Sequence, residues 1–241
     1  VEYKFDGLTL NLTYREGQLV QAATRGNGEV GEAILPQAKT VRAVPLTIPY
    51  QGLLEVQGEC IMRLSVLEQY NKTAKEPLKN ARNAAAGALR NLDPAVTAAR
   101  RLDAFFYQVG TIENPPYHTQ PGMLEFLRKN GFPVSPYLGE PKNAEELVAC
   151  IRHIEEIRNT LDFLIDGVVI KVGDFALRER MGFTEKFPRW AVAYKFEAEE
   201  SVTTLRKVTW ELGRTGKLTP LAHLEPVDFY GVRSGFLSGS V

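Results

Sequence analysis

Apolar and polar residues alternate near the start of the chain. Leu8, Leu10, Leu12 and Tyr14 fall on one side of a period-two pattern and Thr9, Asn11 and Thr13 on the other, which predicts a half-buried strand. Arg15-Glu16-Gly17-Gln18 supplies a turn into a second strand at about 19–24, so an opening hairpin is expected. Leu53 to Glu59 reads as another strand whose end presents a carboxylate. Helices are predicted over about 64–75, 82–90 and 120–130, the second rich in alanine and the third closed by Gly131. The 3.6-residue period is clearest at about 144–159. There Asn143 can cap the helix, Glu146 occupies the capping-box position, and Leu147, Val148, Ile151, Ile154 and Ile157 form one apolar stripe. Short apolar strands are expected at about 103–109, 166–172 and 190–196. Strands interleaved irregularly with helices imply an α+β fold with antiparallel sheets rather than a parallel doubly wound one. From about residue 202, β-like segments are separated by Gly213, Gly216, Pro220 and Pro226. Two domains are therefore expected, 1–201 and 202–241, the second being the start of a small β-barrel.

Composition narrows the function classes. Lys plus Arg equals Asp plus Glu at 29 each, which excludes a strongly basic nucleic-acid binder as a description of the whole chain but not a local basic face. Cys60 and Cys150 are far apart, and the chain has three histidines, so no zinc site has its ligand set. Glu2, Lys4 and Asp6 exclude an apolar signal-peptide core, and no run approaches a membrane span. A cytoplasmic, monomeric protein is expected. Val1 in place of Met, and an end at Val241 within a Gly/Ser-rich stretch, point to an excised piece of a longer protein.

Lys4 lies between Glu2 and Asp6 on a strand leading into the hairpin. In isolation this is a solvated edge-strand lysine, and K-x-D-G is short enough to arise by chance. Other charges change the weighting. Glu59, Asp166, Lys171 and Lys195 each sit within or at the end of an apolar strand, where charge is costly unless it is paired or functional. Lysines and carboxylates converging on one cleft suit nucleotidyl transfer through a covalent lysine. The amine becomes nucleophilic when a cationic neighbour or desolvation lowers its pKa, a role open to Lys171 or Lys195. Charged lysines would neutralise phosphate, and Glu59 or Asp166 would hold a magnesium ion (Mg2+) or the ribose hydroxyls.

The ordered motifs resemble the adenylation domain of the bacterial NAD-dependent DNA ligases over nearly the whole chain. Lys4-Phe5-Asp6-Gly7 resembles the K-x-D-G nucleophile motif of covalent nucleotidyltransferases, preceded by Glu2, and Thr24-Arg25-Gly26-Asn27-Gly28 is similar to T-R-G-D-G. Gly58-Glu59, Phe106-Tyr107, Asp166 to Lys171 and Pro188 to Phe196 resemble further motifs in order. The most specific is Arg82-Asn83-Ala84-Ala85-Ala86-Gly87-Ala88-Leu89-Arg90, which resembles the NAD-specific R-N-x-A-A-G-x-L-R. Gly213 to Pro220 is similar to the entry of the family's oligonucleotide-binding (OB) barrel.

This resemblance implies a nucleotidyltransferase fold with ATP-grasp-like antiparallel sheets and helices, followed by the start of an OB-type barrel. It also implies a reaction: Lys4 takes AMP from NAD and passes it to the 5′-phosphate of nicked double-stranded DNA, sealing strands in replication and repair. Lys4, Asp6 and Lys195 are implied as catalytic. Glu2, Tyr107, Val169 and Lys171 would form the adenine pocket, with Arg25, Glu59 and Asp166 at the ribose and phosphate, and Arg82 and Arg90 facing DNA. Nothing in the chain resembles the small helical domain that binds the nicotinamide half in the family, so the fragment is expected to keep an adenosine pocket yet react poorly with NAD.

Lys79 to Arg101 carries five basic residues and one acidic, and residues 140–166 carry three basic and seven acidic. A basic DNA-side face opposite an acidic back would reconcile these with a neutral total; two solvated helices of opposite sign is the plainer alternative. Ala33 to Gln37, Asn27 and Gln57 depart from the family's usual residues. Two other classes stay open: an ATP- or GTP-using ligase or capping-type enzyme, and a catalytically silent DNA-binding paralogue. Trp210 is expected to be structural, a reading left open for Trp190, and Cys60 and Cys150 are expected to be small buried residues rather than reactive thiols.

Overall fold

A computed structural model describes residues 1–26, 31–185, 187–197, 202–212, 216, 218–229 and 232–238. The chain divides into two compact units, Val1–Phe196 and Glu197–Val241.

The first two strands of the larger unit follow each other closely yet enter different sheets. β1 (Glu2–Phe5) belongs to a three-stranded antiparallel sheet in which it lies beside β6 (Ile165–Lys171), which in turn pairs with β7 (Ala191–Lys195). β2 (Leu8–Arg15) forms the expected hairpin with β3 (Gln18–Thr24) in a four-stranded antiparallel sheet. That sheet continues through β4 (Leu54–Ile61) to β5 (Asp103–Ile112), in the order β3-β2-β4-β5. The passage between sheets is made at Asp6-Gly7, where a Cβ on Gly7 would stand 2.2 Å from the Cys60 carbonyl oxygen. Only glycine permits so close an approach.

Helices cover the larger sheet. α1 (Leu35–Ala38), α4 (Pro94–Ala99) and α7 (Phe175–Met181) are too short for a period-based prediction, and the sequence reading lacked them; α2 (Leu64–Asn71) ends earlier than expected. The alanines of α3 (Ala81–Leu89) let its backbone lie close to the sheet, and Ala84, Ala85, Ala88 and Leu89 pack with Leu10, Leu12, Tyr14 and Phe106 in the main core. Met123, Leu124 and Leu127 of α5 (Gln120–Lys129) complete it. The expected stop at Gly131 is a Schellman motif: Gly131 has φ +85, its N–H donates to Arg128 O, and Phe132 N–H donates to Leu127 O.

A second core joins the two sheets. Phe5 of β1 stacks on Phe105 of β5 with ring centres 4.6 Å apart, and Tyr3, Phe163, Ile154 and Val168 close around them. Ile154 lies on α6 (Ala144–Ile157), which Asn143 caps by accepting from Glu146 N–H at 2.8 Å. Leu147, Ile151 and Ile157 pack there as expected, but Val148 does not: it is 45% exposed, one position off the stripe, and Cys150 takes its place.

The smaller unit contains β8 (Leu205–Leu212), β9 (Leu218–Phe229) and β10 (Val232–Ser238), an open antiparallel sheet ordered β10-β9-β8 rather than a closed barrel. Trp210 is 63% exposed on it, against the expectation of a packed structural residue. Asn27, Gly28, Gly213, Arg214, Thr215 and Lys217 lie outside the described residues. No helix among the described residues is long and apolar enough to cross a membrane.

Candidate active site

Strand alternation aims β1 into a cavity. Tyr3 and Phe5 face the second core, so Glu2 and Lys4 face the other way and line a cavity of about 290 Å³ between the two sheets. Val169 and Lys171 of β6 join them from the same sheet, and Thr9, Glu59 and Tyr107 line it from the other. Asp6, Arg25 and Arg82 complete the rim. Most of the residues singled out from sequence therefore meet in one place.

Two β-bulges bring in side chains that simple alternation would turn away. In the β1–β6 pairing, Lys4 opposes Gly167 and Phe5 opposes Ile165, leaving Asp166 as the extra residue. A bulge re-aims its extra side chain, and the Asp166 carboxylate accepts from Lys4 Nζ at 2.6 and 2.8 Å. In the β4–β5 pairing, Gln57 opposes Gln108 and Gly58 opposes Phe106, so Tyr107 is the extra residue. It is turned into the cavity while Phe106 stays in the core. Gly58 has no room for a side chain, since a Cβ there would lie 2.6 Å from the Phe106 ring.

At one end of the cavity Glu2 and Lys171 form a buried ion pair, Lys171 Nζ donating to Glu2 Oε2 at 3.0 Å and to Tyr107 O at 3.1 Å. Burial pushes the Lys171 ammonium below its ordinary value, and Glu2 opposes that shift. The same ammonium stands 5.4 Å from the Tyr107 ring centre. Lys171 is thus committed to Glu2, and the charge facing Lys4 is a carboxylate. The ammonium expected to act on Lys4 is bonded instead to Glu2 and the Tyr107 carbonyl, and the group in contact with the Lys4 amine is Asp166.

Glu59 lies deeper. Burial pushes its carboxyl up to about 7, a shift that the Thr9 hydroxyl at 3.3 Å and the charges of Arg82 and Lys4 only partly offset. Its protonated form is favoured in the fold, so this group contributes stability at low pH that is lost as pH rises from the ordinary carboxyl value of 4.5 through about 7. Glu59→Gln, a permanent mimic of the neutral acid, is expected to raise the melting temperature by a few degrees at pH 8 and leave it unchanged at pH 4. Melting curves of both proteins across that range check it; an equal difference at both pH values would contradict it.

Three expected site residues do not line the cavity. Asp166 sits behind Lys4, holding its amine. Lys195 is in register with Lys4 across Gly167, hence on the same sheet face but about 10 Å away, two strand spacings, and exposed. Arg90 pairs with Glu32 at 3.1 Å. Arg82, about two helical turns before Arg90, reaches Asp6 at 2.8 Å on the cavity rim. The departure at Ala33 to Gln37 is a matter of packing: Ile34 is in the main core, and Gln37 Nε2 donates to Asn91 O. Among the described residues no three His, Cys, Asp or Glu side chains come together to hold a metal. Of the two carboxylates expected at a magnesium ion, Glu59 lines the cavity and Asp166 accepts from Lys4 with both oxygens.

The sequence reading missed Gln120 and Arg178, both buried behind Glu2. Gln120 Nε2 donates to Glu2, and its oxygen accepts from Arg178. They are 118 and 176 residues from Glu2 along the chain, and no local pattern marks either.

Residues 1–199 match the family model of the NAD-dependent DNA ligase adenylation domain. The chain belongs to that family. It is 60% identical over 232 residues to a DNA ligase of Alkaliphilus metalliredigens (strain QYMF), covering 96% of this chain and 35% of the relative. The same figures hold for a DNA ligase of Alkaliphilus oremlandii (strain OhILAs). A DNA ligase of Finegoldia magna (strain ATCC 29328 / DSM 20472 / WAL 2508) is 56% identical over 232 residues, again 96% of this chain and 35% of the relative. The chain thus spans about a third of the length of the curated relatives it matches. As an adenylation-family member it carries Lys4, Asp6 and Gly7 of the K-x-D-G motif on the strand and turn that join its two sheets.

Proposed function

We propose that Lys4 accepts the adenylyl group of NAD and passes it to the 5′-phosphate of a nick in double-stranded DNA, the chemistry of strand sealing in replication and repair. The observation that carries this reading is the Lys4 amine, held by Asp166 at the wall of a cavity that places an acceptor–donor pair beside an aromatic ring. The Watson–Crick edge of adenine has an amino donor next to a ring-nitrogen acceptor, and the Glu2 carboxylate and Lys171 ammonium complement it in that order. Tyr107 offers a ring face for the base. A volume of about 290 Å³ suits one nucleotide half of a dinucleotide. Lys4, Arg25 and Arg82 supply positive charge for the phosphate, and Lys195, aligned with Lys4 on the same sheet face, adds to it.

NAD supplies the adenylyl phosphorus and, as leaving group, nicotinamide mononucleotide. Lys4 Nζ must lose a proton to attack, and the acceptors within reach are the Asp166 oxygens at 2.6 and 2.8 Å. An N–P bond then forms at Lys4 as the P–O bond to the leaving group breaks. Asp6 orients Arg82 through their 2.8 Å contact. Magnesium would take most of its oxygens from phosphate and water. Arg82 and Arg90, both more than half exposed, are the residues proposed to meet the DNA backbone.

Incubation with NAD or with ATP followed by intact-mass measurement tests this reading. A slow gain of one adenylyl group from NAD, complete only on long incubation, and none from ATP is expected. No gain from either, or a gain from ATP alone, would refute it.

A further inference from the structure

Glu2 can read a base edge only if its carboxylate keeps one orientation, and what holds it lies behind the cavity wall. Gln120, the first residue of α5, is 3% exposed and donates from Nε2 to Glu2 Oε1 at 2.5 Å. Its Oε1 accepts from Arg178 Nη2 at 2.8 Å. Arg178 is 6% exposed, donates from Nε to Val172 O at 2.6 Å, and has its guanidinium 4.3 Å from the ring centres of both Phe175 and Trp190. Neither Gln120 nor Arg178 lines the cavity.

This order of partners is directional. A guanidinium only donates and a carboxylate only accepts, so the amide between them has one workable orientation, oxygen toward Arg178 and nitrogen toward Glu2. Two rings and a backbone carbonyl hold the guanidinium; the guanidinium holds the amide; the amide occupies Glu2 Oε1. Oε2 is left to Lys171 and to a ligand in the cavity.

We infer that Gln120 and Arg178 are positioning residues for base selection, setting the preference of the cavity for adenine over a 6-oxopurine. This rests on the proposed base-reading role of Glu2 and Lys171. A 6-oxopurine places an acceptor where adenine has its amino group and an N–H where adenine has an acceptor, so both contacts become mismatched. That mismatch excludes a ligand only while Glu2 cannot turn away. Without the amide donor the carboxylate is held at Oε2 alone, by Lys171, and can swing about that contact, so the penalty against the wrong base falls.

The test is calorimetric binding of AMP and IMP to the full chain and three variants. Gln120→Met, similar in length but without the donor, is expected to lower the AMP-over-IMP affinity ratio about tenfold, the scale of one hydrogen bond to a charged group. Arg178→Lys keeps the charge but lacks the planar fork that reaches Val172 O and Gln120 together, so the ratio should fall in the same direction. A ratio that holds while both affinities drop together would show that these residues only pack, and would overturn the inference. If Gln120→Met does not fold, Arg178→Lys decides by the same criterion. Glu2→Gln separates this inference from the reading beneath it. A ratio unchanged in Glu2→Gln would sink the base-reading role itself, whereas a ratio lost there and kept in the other two would sink only the positioning role.

Discussion

Lys4→Arg is expected to gain no adenylyl mass from NAD while melting close to the parent protein. Arginine keeps a donor within reach of Asp166 and so preserves the ion pair now made at 2.6 Å, but its guanidinium stays charged and does not become a neutral nucleophile. Lys4→Ala should be equally inactive, because the N–P bond has no nitrogen on which to form. Its stability is expected to differ from that of Lys4→Arg. Both Lys4 and Asp166 are about a quarter to a third exposed, so losing the pair should cost on the order of 1 kcal/mol, as for other partly solvated ion pairs. Intact mass after incubation with NAD reads the first effect, and melting temperature the second. An adduct in either variant would place the nucleophile elsewhere.

Gly167→Ala should damage fold and activity together. A Cβ at this position would lie 2.0 Å from the Tyr194 carbonyl oxygen and 2.9 Å from Lys195 Cα. Both are backbone atoms of β7, so no side-chain rotation relieves the contact and the strands must move apart. The pairing at risk is Gly167 with Lys195 and Val169 with Ala193 on one side, and Lys4 with Gly167 on the other. A cost of about 3 kcal/mol or more is expected, as for forced overpacking, or a fall of roughly 6–12 °C in melting temperature for a unit of this size. The adenylylation rate should drop with it, since the bulge that presents Asp166 adjoins the same glycine. Gly173→Ala is the control: a Cβ there meets nothing within 4 Å, so it should melt within about 1–2 °C of the parent, as surface changes usually do. Equal melting of the two variants would refute the steric reading.

Local chemistry determined much of this protein before any fold was known. Period-two alternation at Leu10, Leu12 and Tyr14 marks the hairpin strand, because one face must be buried whatever it packs against. Gly131 stops α5 and Asn143 starts α6 for reasons contained in their own turns of backbone. Lys4, Glu59, Asp166 and Lys171 announce chemistry because charge inside apolar strands requires a partner or a task. What those signals omit is which partner. Lys171 in isolation is a cation available to Lys4; in the fold it belongs to Glu2, and Lys4 belongs to Asp166. Arg82 and Arg90 share a helical spacing, yet one turns to Asp6 and the other to Glu32. Asp166 and Tyr107 reach the site because each is the extra residue of a β-bulge. A bulge is a property of two strands in register, so neither strand's own sequence displays it. Gln120 and Arg178 lie further still from legibility: an amide and a guanidinium, far apart in the chain, acquire their task only when α5 and α7 are packed behind β1 and the buried donors of one must meet the buried acceptors of another.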